Sequence, residues 1–224
     1  MYIVDRTARF LRGALLSYGP RNVKRLVWNK EFAGAKWNFI DHTAGDCVYP
    51  VLARYAGNGS ILDLGCGPGN TANELNEAYY ANYLGVDISE EALAKAARRT
   101  KESGRTDKNQ FTTGDFLTYK PEGRFDVILF RESMYHVPIG KIRPMLNRYA
   151  RHLREGGVFI VRMQVTSENG EHVRRPTKMV QAIDAGFNII ERVHDTKTGA
   201  AVIVFQPKTP SEQAGLTTIR RTTQ

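Results

Sequence analysis

The sequence predicts an α/β fold: a mostly parallel seven-stranded sheet with helices on both faces, closed by a terminal antiparallel hairpin. Short β-branched runs alternate with amphipathic stretches from residue 60 to residue 163, the pattern of parallel strands joined by crossover helices. The last two strand-like runs, Asn188 to His194 and Ala200 to Phe205, are joined only by Asp195 to Gly199. That link is too short for a parallel crossover, so the two runs pair as a hairpin. A chain of 224 residues, 42% hydrophobic and 25% charged, can bury one sizeable core without disulfides or metals.

The elements follow in order. Ser60 to Leu64 reads as a strand, Thr71 to Tyr79 as a helix, Tyr83 to Val86 as a strand and Glu90 to Thr100 as a helix. Gln110 to Thr113 is a weaker strand, whereas Phe125 to Phe130 (FDVILF) is fully apolar at all but one position and reads as buried. Ile139 to Leu153 carries Ile142, Met145, Leu146, Tyr149 and Leu153 at helical spacing, and Gly156-Gly157 is expected to stop that helix. Val158 to Met163 is the fifth strand, and Lys178 to Ala185 a short helix closed by Gly186. Residues 58–206 thus form one domain, preceded by a segment over 1–57 and followed by a polar, turn-rich stretch, 207–224, expected to be disordered.

The net charge of +9 sits at the ends: +6 over residues 1–30 and +2 from Pro207 onward. The middle is nearly neutral, so attraction to an acidic partner is a property of the termini. In the first segment Ala8, Leu11, Leu15 and Tyr18 recur on one helical face among arginines. Such a basic amphipathic helix is expected to pack its apolar face on the following domain and leave its arginines solvated; the alternative is peripheral contact with an anionic membrane. Cys47 and Cys66 are too few for a secreted disulfide framework and lack zinc-site spacing, which fits a cytoplasmic protein. Arg6, Arg9 and Arg12 interrupt any secretory h-region, and no run of 18 apolar residues spans a membrane.

The most informative stretch is Ile61-Leu-Asp-Leu-Gly-Cys-Gly-Pro-Gly69, a strand running into a glycine-rich turn and then a helix. Gly65 and Gly67 let the backbone turn sharply and approach a ligand closely. The loop reads G-x-G-x-G, and an acid, Asp63, precedes it on the strand. Asp87 ends the next strand, where a carboxylate can accept both hydroxyls of a ribose. Asp115, in Gly114-Asp115-Phe116, follows the third strand at the same sheet edge. Three acids and a glycine loop on one edge describe a nucleoside pocket and not a pyrophosphate site, which leaves an NAD-binding sheet as a minority reading. Asp63 has a second reading, as a strand-end acid capping amides of the loop.

With these motifs the chain resembles the class I S-adenosylmethionine-dependent methyltransferases, whose sheet is Rossmann-like. DLGCGPG, VDIS, GDF, FDVILF and LREGGVFIV carry the resemblance over residues 58 to 206. It implies S-adenosyl-L-methionine as cofactor. It places Asp63, Gly65, Cys66 and Gly67 under its methionine and ribose portion, Asp87 and Ile88 at ribose and adenine, and Asp115 and Phe116 at adenine.

Catalytic candidates stand just past the fourth strand, at the edge where open parallel sheets bind ligands. Arg131 is expected to point toward the cofactor, and Glu132, Tyr135 and His136 toward the acceptor. His136 is the best single base, with a role restricted to hydrogen-bonding its loop as the alternative. The segment also resembles the Glu-x-x-Glu-His element of some metal-assisted relatives, but Tyr135 replaces the second glutamate and His172 is remote, so no metal is predicted. Trp28, Phe32 and Trp37 concentrate aromatic surface before the domain, either as a lid over cofactor and acceptor or as an anchor for the basic arm.

No Asn/Asp-Pro-Pro-aromatic element follows the fourth strand, and Cys66 lies in the cofactor loop, which disfavours nucleic-acid and protein acceptors. The resulting expectation is transfer to oxygen or nitrogen of a small molecule such as a sugar or other secondary metabolite. An RNA methyltransferase recruited by the basic ends, and a non-catalytic cofactor-binding scaffold, are the alternatives.

Overall fold

The computed structural model of the chain describes residues 11–34, 43–166 and 174–209. It begins with a helix over residues 11–18 (α1), followed by α2 (Arg21–Ala33) and α3 (Val48–Ala56). The sheet domain then runs β1 (Gly59–Leu64), α4 (Asn70–Glu74), β2 (Tyr80–Asp87), α5 (Glu90–Glu102), β3 (Asn109–Thr113) and β4 (Phe125–Arg131). It continues with α6 (Ile139–Ala150), β5 (Leu153–Gln164), α7 (Arg174–Gly186), β6 (Phe187–Asp195) and β7 (Ala200–Pro207). The seven strands form one sheet in the order β3-β2-β1-β4-β5-β7-β6. Only β7 is reversed against its neighbours β5 and β6, the antiparallel hairpin expected from the short Asp195–Gly199 link.

Strand alternation divides the core. Ile61, Val127, Leu129 and Ile160 point to the face covered by α3 and α4, and Leu62, Ile128, Phe130 and Phe159 to the face covered by α6 and α7. Burial on both faces explains why FDVILF is a nearly unbroken apolar run. The strand order reverses between β1 and β4, so the crevice beyond their carboxyl ends is the natural ligand site.

Three expectations are corrected. The helix expected over Thr71 to Tyr79 stops at Glu74; Leu75 is extended, and Asn76 caps a separate 3₁₀ turn, Glu77–Tyr79, by accepting the Ala78 N–H at 3.0 Å. Gly156-Gly157 does not end α6, which stops at Ala150. The pair lies inside β5, where the register against β4 shifts. Gly156 takes φ +74°, and a Cβ on Gly157 would meet three carbonyl oxygens at 3.0 to 3.1 Å, so the glycines serve a bulge.

Helix α1 also departs from its expected orientation. Leu11, Leu15 and Tyr18 are 55%, 44% and 74% exposed, while Leu16 is buried and Arg12 faces inward. The helix is turned by one residue, about 100°, from the expected orientation. Arg12 can face inward because its guanidinium grips the Glu31 carboxylate at 2.6 and 2.7 Å and lies over the Trp28 ring. Among the described residues no helix is long and apolar enough to cross a membrane. Trp37, His172 and the stretch from 210 to 224 lie outside the described residues.

Candidate active site

A cavity of about 560 Å³ opens beyond the carboxyl ends of β1, β2 and β4, with α1 and α2 across it. Its floor is the loop after β1. The Gly65 and Cys66 N–H groups both donate to the Val86 carbonyl, at 2.7 and 3.1 Å, which pins the loop to β2. Gly65 sits at φ +82°, and a Cβ there would stand 2.4 Å from that of Ser133, so this position requires glycine. The Asp87 carboxylate shapes the same floor: one oxygen accepts the Gly67 N–H at 2.9 Å and the other the Ser89 N–H at 2.8 Å. Burial pushes its pKa up, and the amides of Ser89, Gly67 and Ile88 oppose that rise.

Asp115 lies at the adjoining wall. One of its oxygens accepts the Leu117 N–H at 2.9 Å, and the other the Lys24 ammonium at 3.3 Å, so helix α2 is fastened to the acid after β3. Phe116, edge-on to Phe130 at 6.1 Å, lines the cavity beside it, as does Ile88. Asp63 does not line the cavity. It sits behind the loop, accepting the Tyr83 hydroxyl at 2.6 Å, with its other oxygen buried and without a hydrogen-bond partner among the described residues. Burial raises its pKa to about 6, against the lowering by Tyr83 and Arg131.

At the far wall the ends of β4 and β5 bring Arg131 and Arg162 into register. Asp46 bridges them, at 2.9 Å to Arg131 and 3.2 Å to Arg162. Burial would raise the Asp46 pKa, but the two guanidiniums outweigh it and hold the group below its ordinary value. Arg131 retains a buried Nε–H without a partner among the described residues. Glu132, at φ +55°, is ion-paired with Arg162. The Tyr135 hydroxyl is engaged by the Gln164 backbone, and its pKa is pushed far up by burial and by Glu132.

Helix α2 supplies the aromatic part of the cavity. Trp28 and Phe32 stack at 5.7 Å, Phe32 reaches over Gly67, and Trp28 meets the His136 ring edge-on at 5.0 Å. Burial lowers the His136 pKa to about 4, with Arg12 and Arg175 adding to the effect. The imidazole is therefore neutral through the physiological range.

Residues 61–157 match the family model described as a methyltransferase domain. Over those residues the chain carries a methyltransferase domain. It is similar to the sterol 24-C-methyltransferase erg6 of Aspergillus fumigatus, 27% identical over 157 residues, covering 63% of this chain and 41% of that protein. The chain spans about half or less of the length of such curated relatives. In fold it resembles the N-methyltransferase NodS of Bradyrhizobium japonicum in complex with S-adenosyl-L-homocysteine. The TM-score is 0.63 at 16% identity, over 83% of this chain and 98% of that one. It also resembles magnesium protoporphyrin IX methyltransferase of Synechocystis, with a TM-score of 0.65 at 17% identity, over 84% of this chain and 100% of that one.

The residues around the cavity fit S-adenosylmethionine. Gly65, Cys66, Gly67, Asp87, Ile88, Asp115, Phe116 and Arg131 line one cavity, which also takes in Glu132, Tyr135, His136, Trp28 and Phe32. Only Asp63 stands back from it. Arg12, Lys24, Asp46 and Arg162 also line the cavity and were not anticipated from the sequence. A signal for Arg162 was present: VILFR and VFIVR both place an arginine directly after an apolar strand run, a costly residue at that depth unless it serves a site.

Proposed function

We propose that the chain transfers a methyl group from S-adenosylmethionine to an oxygen or nitrogen of a small molecule with an apolar body. The observation that carries this reading is that the glycine loop, Asp87 and Asp115 share one cavity with His136, Trp28 and Phe32. S-adenosylmethionine supplies an electrophilic methyl group on a sulfonium. The protein's own work is alignment of the acceptor lone pair with that methyl and exclusion of water. Trp28, Phe32 and Leu16 offer apolar surface to the acceptor, which narrows the expected sugar or secondary metabolite to one with an apolar portion. His136, neutral and beside Trp28, takes the proton of an acceptor whose acidity rises as the methyl arrives. Glu132 and Tyr135, both engaged by partners, position that corner.

Calorimetric titration with S-adenosylmethionine and its demethylated product tests the reading. Asp87→Ala removes the acceptor of two loop amides and of the ribose hydroxyls, and is expected to weaken binding at least about tenfold. Undiminished binding by that variant, or no binding by the folded wild type, refutes it. A second reading, transfer to carbon, is favoured by the sterol 24-C-methyltransferase relative, and product analysis by NMR separates the two. Two unpaired cysteines, Cys47 and Cys66, support a cytoplasmic setting.

A further inference from the structure

The helical pair α1–α2 is two-faced. Its inner side lines the cavity with Arg12, Leu16, Lys24, Trp28 and Phe32. The outer face of α1 is apolar where a solvated surface would be polar. Leu11, Leu15 and Tyr18, at i, i+4 and i+7, form one exposed face of α1, and Leu26 is 65% exposed on α2. Among the described residues six large hydrophobic side chains are exposed, and these are four of them. Isolated exposed leucines need no explanation, but a cluster confined to one helical pair marks an interaction surface.

Charge identifies the occupant. Lys30 stands one helical turn from Leu26, Arg21 is exposed at the start of α2, and Arg25 is half-buried on the same helix, where it pairs with the exposed Glu90 at 3.4 Å. Of the cations on the described part of α1–α2, Arg12 and Lys24 are turned to the cavity, which leaves Arg21, Arg25 and Lys30 for the outer side. Cations beside an apolar helical face match anionic headgroups above acyl chains, whereas a nucleic-acid backbone would use the cations and leave the leucines in water.

The geometry points to α1–α2 as a docking surface for an anionic bilayer, from which an amphiphilic acceptor reaches the cavity beneath the same helices. The acceptor clause rests on the proposed reading of an acceptor with an apolar body; the docking surface does not.

Cosedimentation of the full chain with vesicles tests it, using phosphatidylcholine alone against equal parts phosphatidylcholine and phosphatidylserine. The chain is expected to pellet with the anionic vesicles, and less so at high salt. Combined Leu11→Glu, Leu15→Glu and Leu26→Glu substitutions are expected to reduce partitioning at least about tenfold. The same variant should titrate S-adenosylmethionine as the wild type does, since none of the three leucines lines the cavity. Should the triple variant misfold, Arg21→Glu with Lys30→Glu probes the charge alone and is expected to lower anionic binding. Absence of pelleting with anionic vesicles, equal pelleting with both compositions, or undiminished pelleting by the folded variants overturns the inference. Tighter binding of single-stranded RNA than of vesicles also overturns it, in favour of a nucleic-acid partner. Because cofactor titration is read separately, failure of the docking surface and failure of the proposed activity are distinct results.

Discussion

Replacing Asp63 by Asn exchanges a fully buried carboxylate for a neutral amide of nearly the same shape. The pKa of Asp63 is raised from 3.8 to about 6 because burial penalises the charged form more than the Tyr83 hydroxyl and Arg131 favour it. The folded protein therefore holds this proton more tightly than the unfolded chain. Between pH 3.8 and about 6 the folded state binds more protons, and the wild type loses stability as pH rises through that window. Above the window the loss is constant, about 3 kcal/mol for a difference of about two in pKa. The amide carries no such dependence. It replaces the protonated acid imperfectly, giving back about 1 kcal/mol, so Asp63→Asn is expected to be the more stable protein by about 1–2 kcal/mol at neutral pH. Urea unfolding of both ligand-free proteins from about pH 4.5 to about pH 8 measures the difference, and the subtraction removes other titrating groups. A difference that stays flat with pH, or an Asn variant that is least stable relative to wild type at the alkaline end, refutes the reasoning.

His136 gives the opposite slope. Its lowered pKa makes the unfolded chain bind the extra proton, so stability is expected to fall as pH drops from 6.5 toward about 4, by up to about 3 kcal/mol before screening. An NMR titration of the imidazole should show this value near 4 and an upward move in Arg12→Ala; an ordinary value in the wild type contradicts the packed corner. Gly65→Ala places a Cβ 2.4 Å from that of Ser133 and strains a residue at φ +82°, so a stability loss of about 2–4 kcal/mol and at least about tenfold weaker cofactor binding are expected. Equal urea midpoints for variant and wild type would remove that argument.

Periodicity exposed the sheet because each strand is buried in a characteristic way: FDVILF on both faces, the hairpin strands with polar alternation on β6. The short connection from Asp195 fixed the reversed strand. Gly156-Gly157 misled because glycine ends helices and also serves bulges, and only the register between β4 and β5 separates those roles. At the site, Gly65, Asp87 and Asp115 were legible since their positions follow from strand ends alone. Asp46, 85 residues before Arg131, meets it only through the fold, and no local spacing announces that. The rotation of α1 was equally hidden. Helical spacing gives faces but not which face is chosen, and Glu31 and Trp28 made the arginine face the inner one.

Asp115 has obligations on two sides. One carboxylate oxygen belongs to its own turn through Leu117, and the other receives an ammonium from α2. On the proposed reading, in which this acid receives the adenine amine, the amine would compete with Lys24 for the second oxygen. The seat proposed for the base and the fastening of the helical roof would then be one atom, so that cofactor exchange and loosening of α2 would draw on the same hydrogen bond.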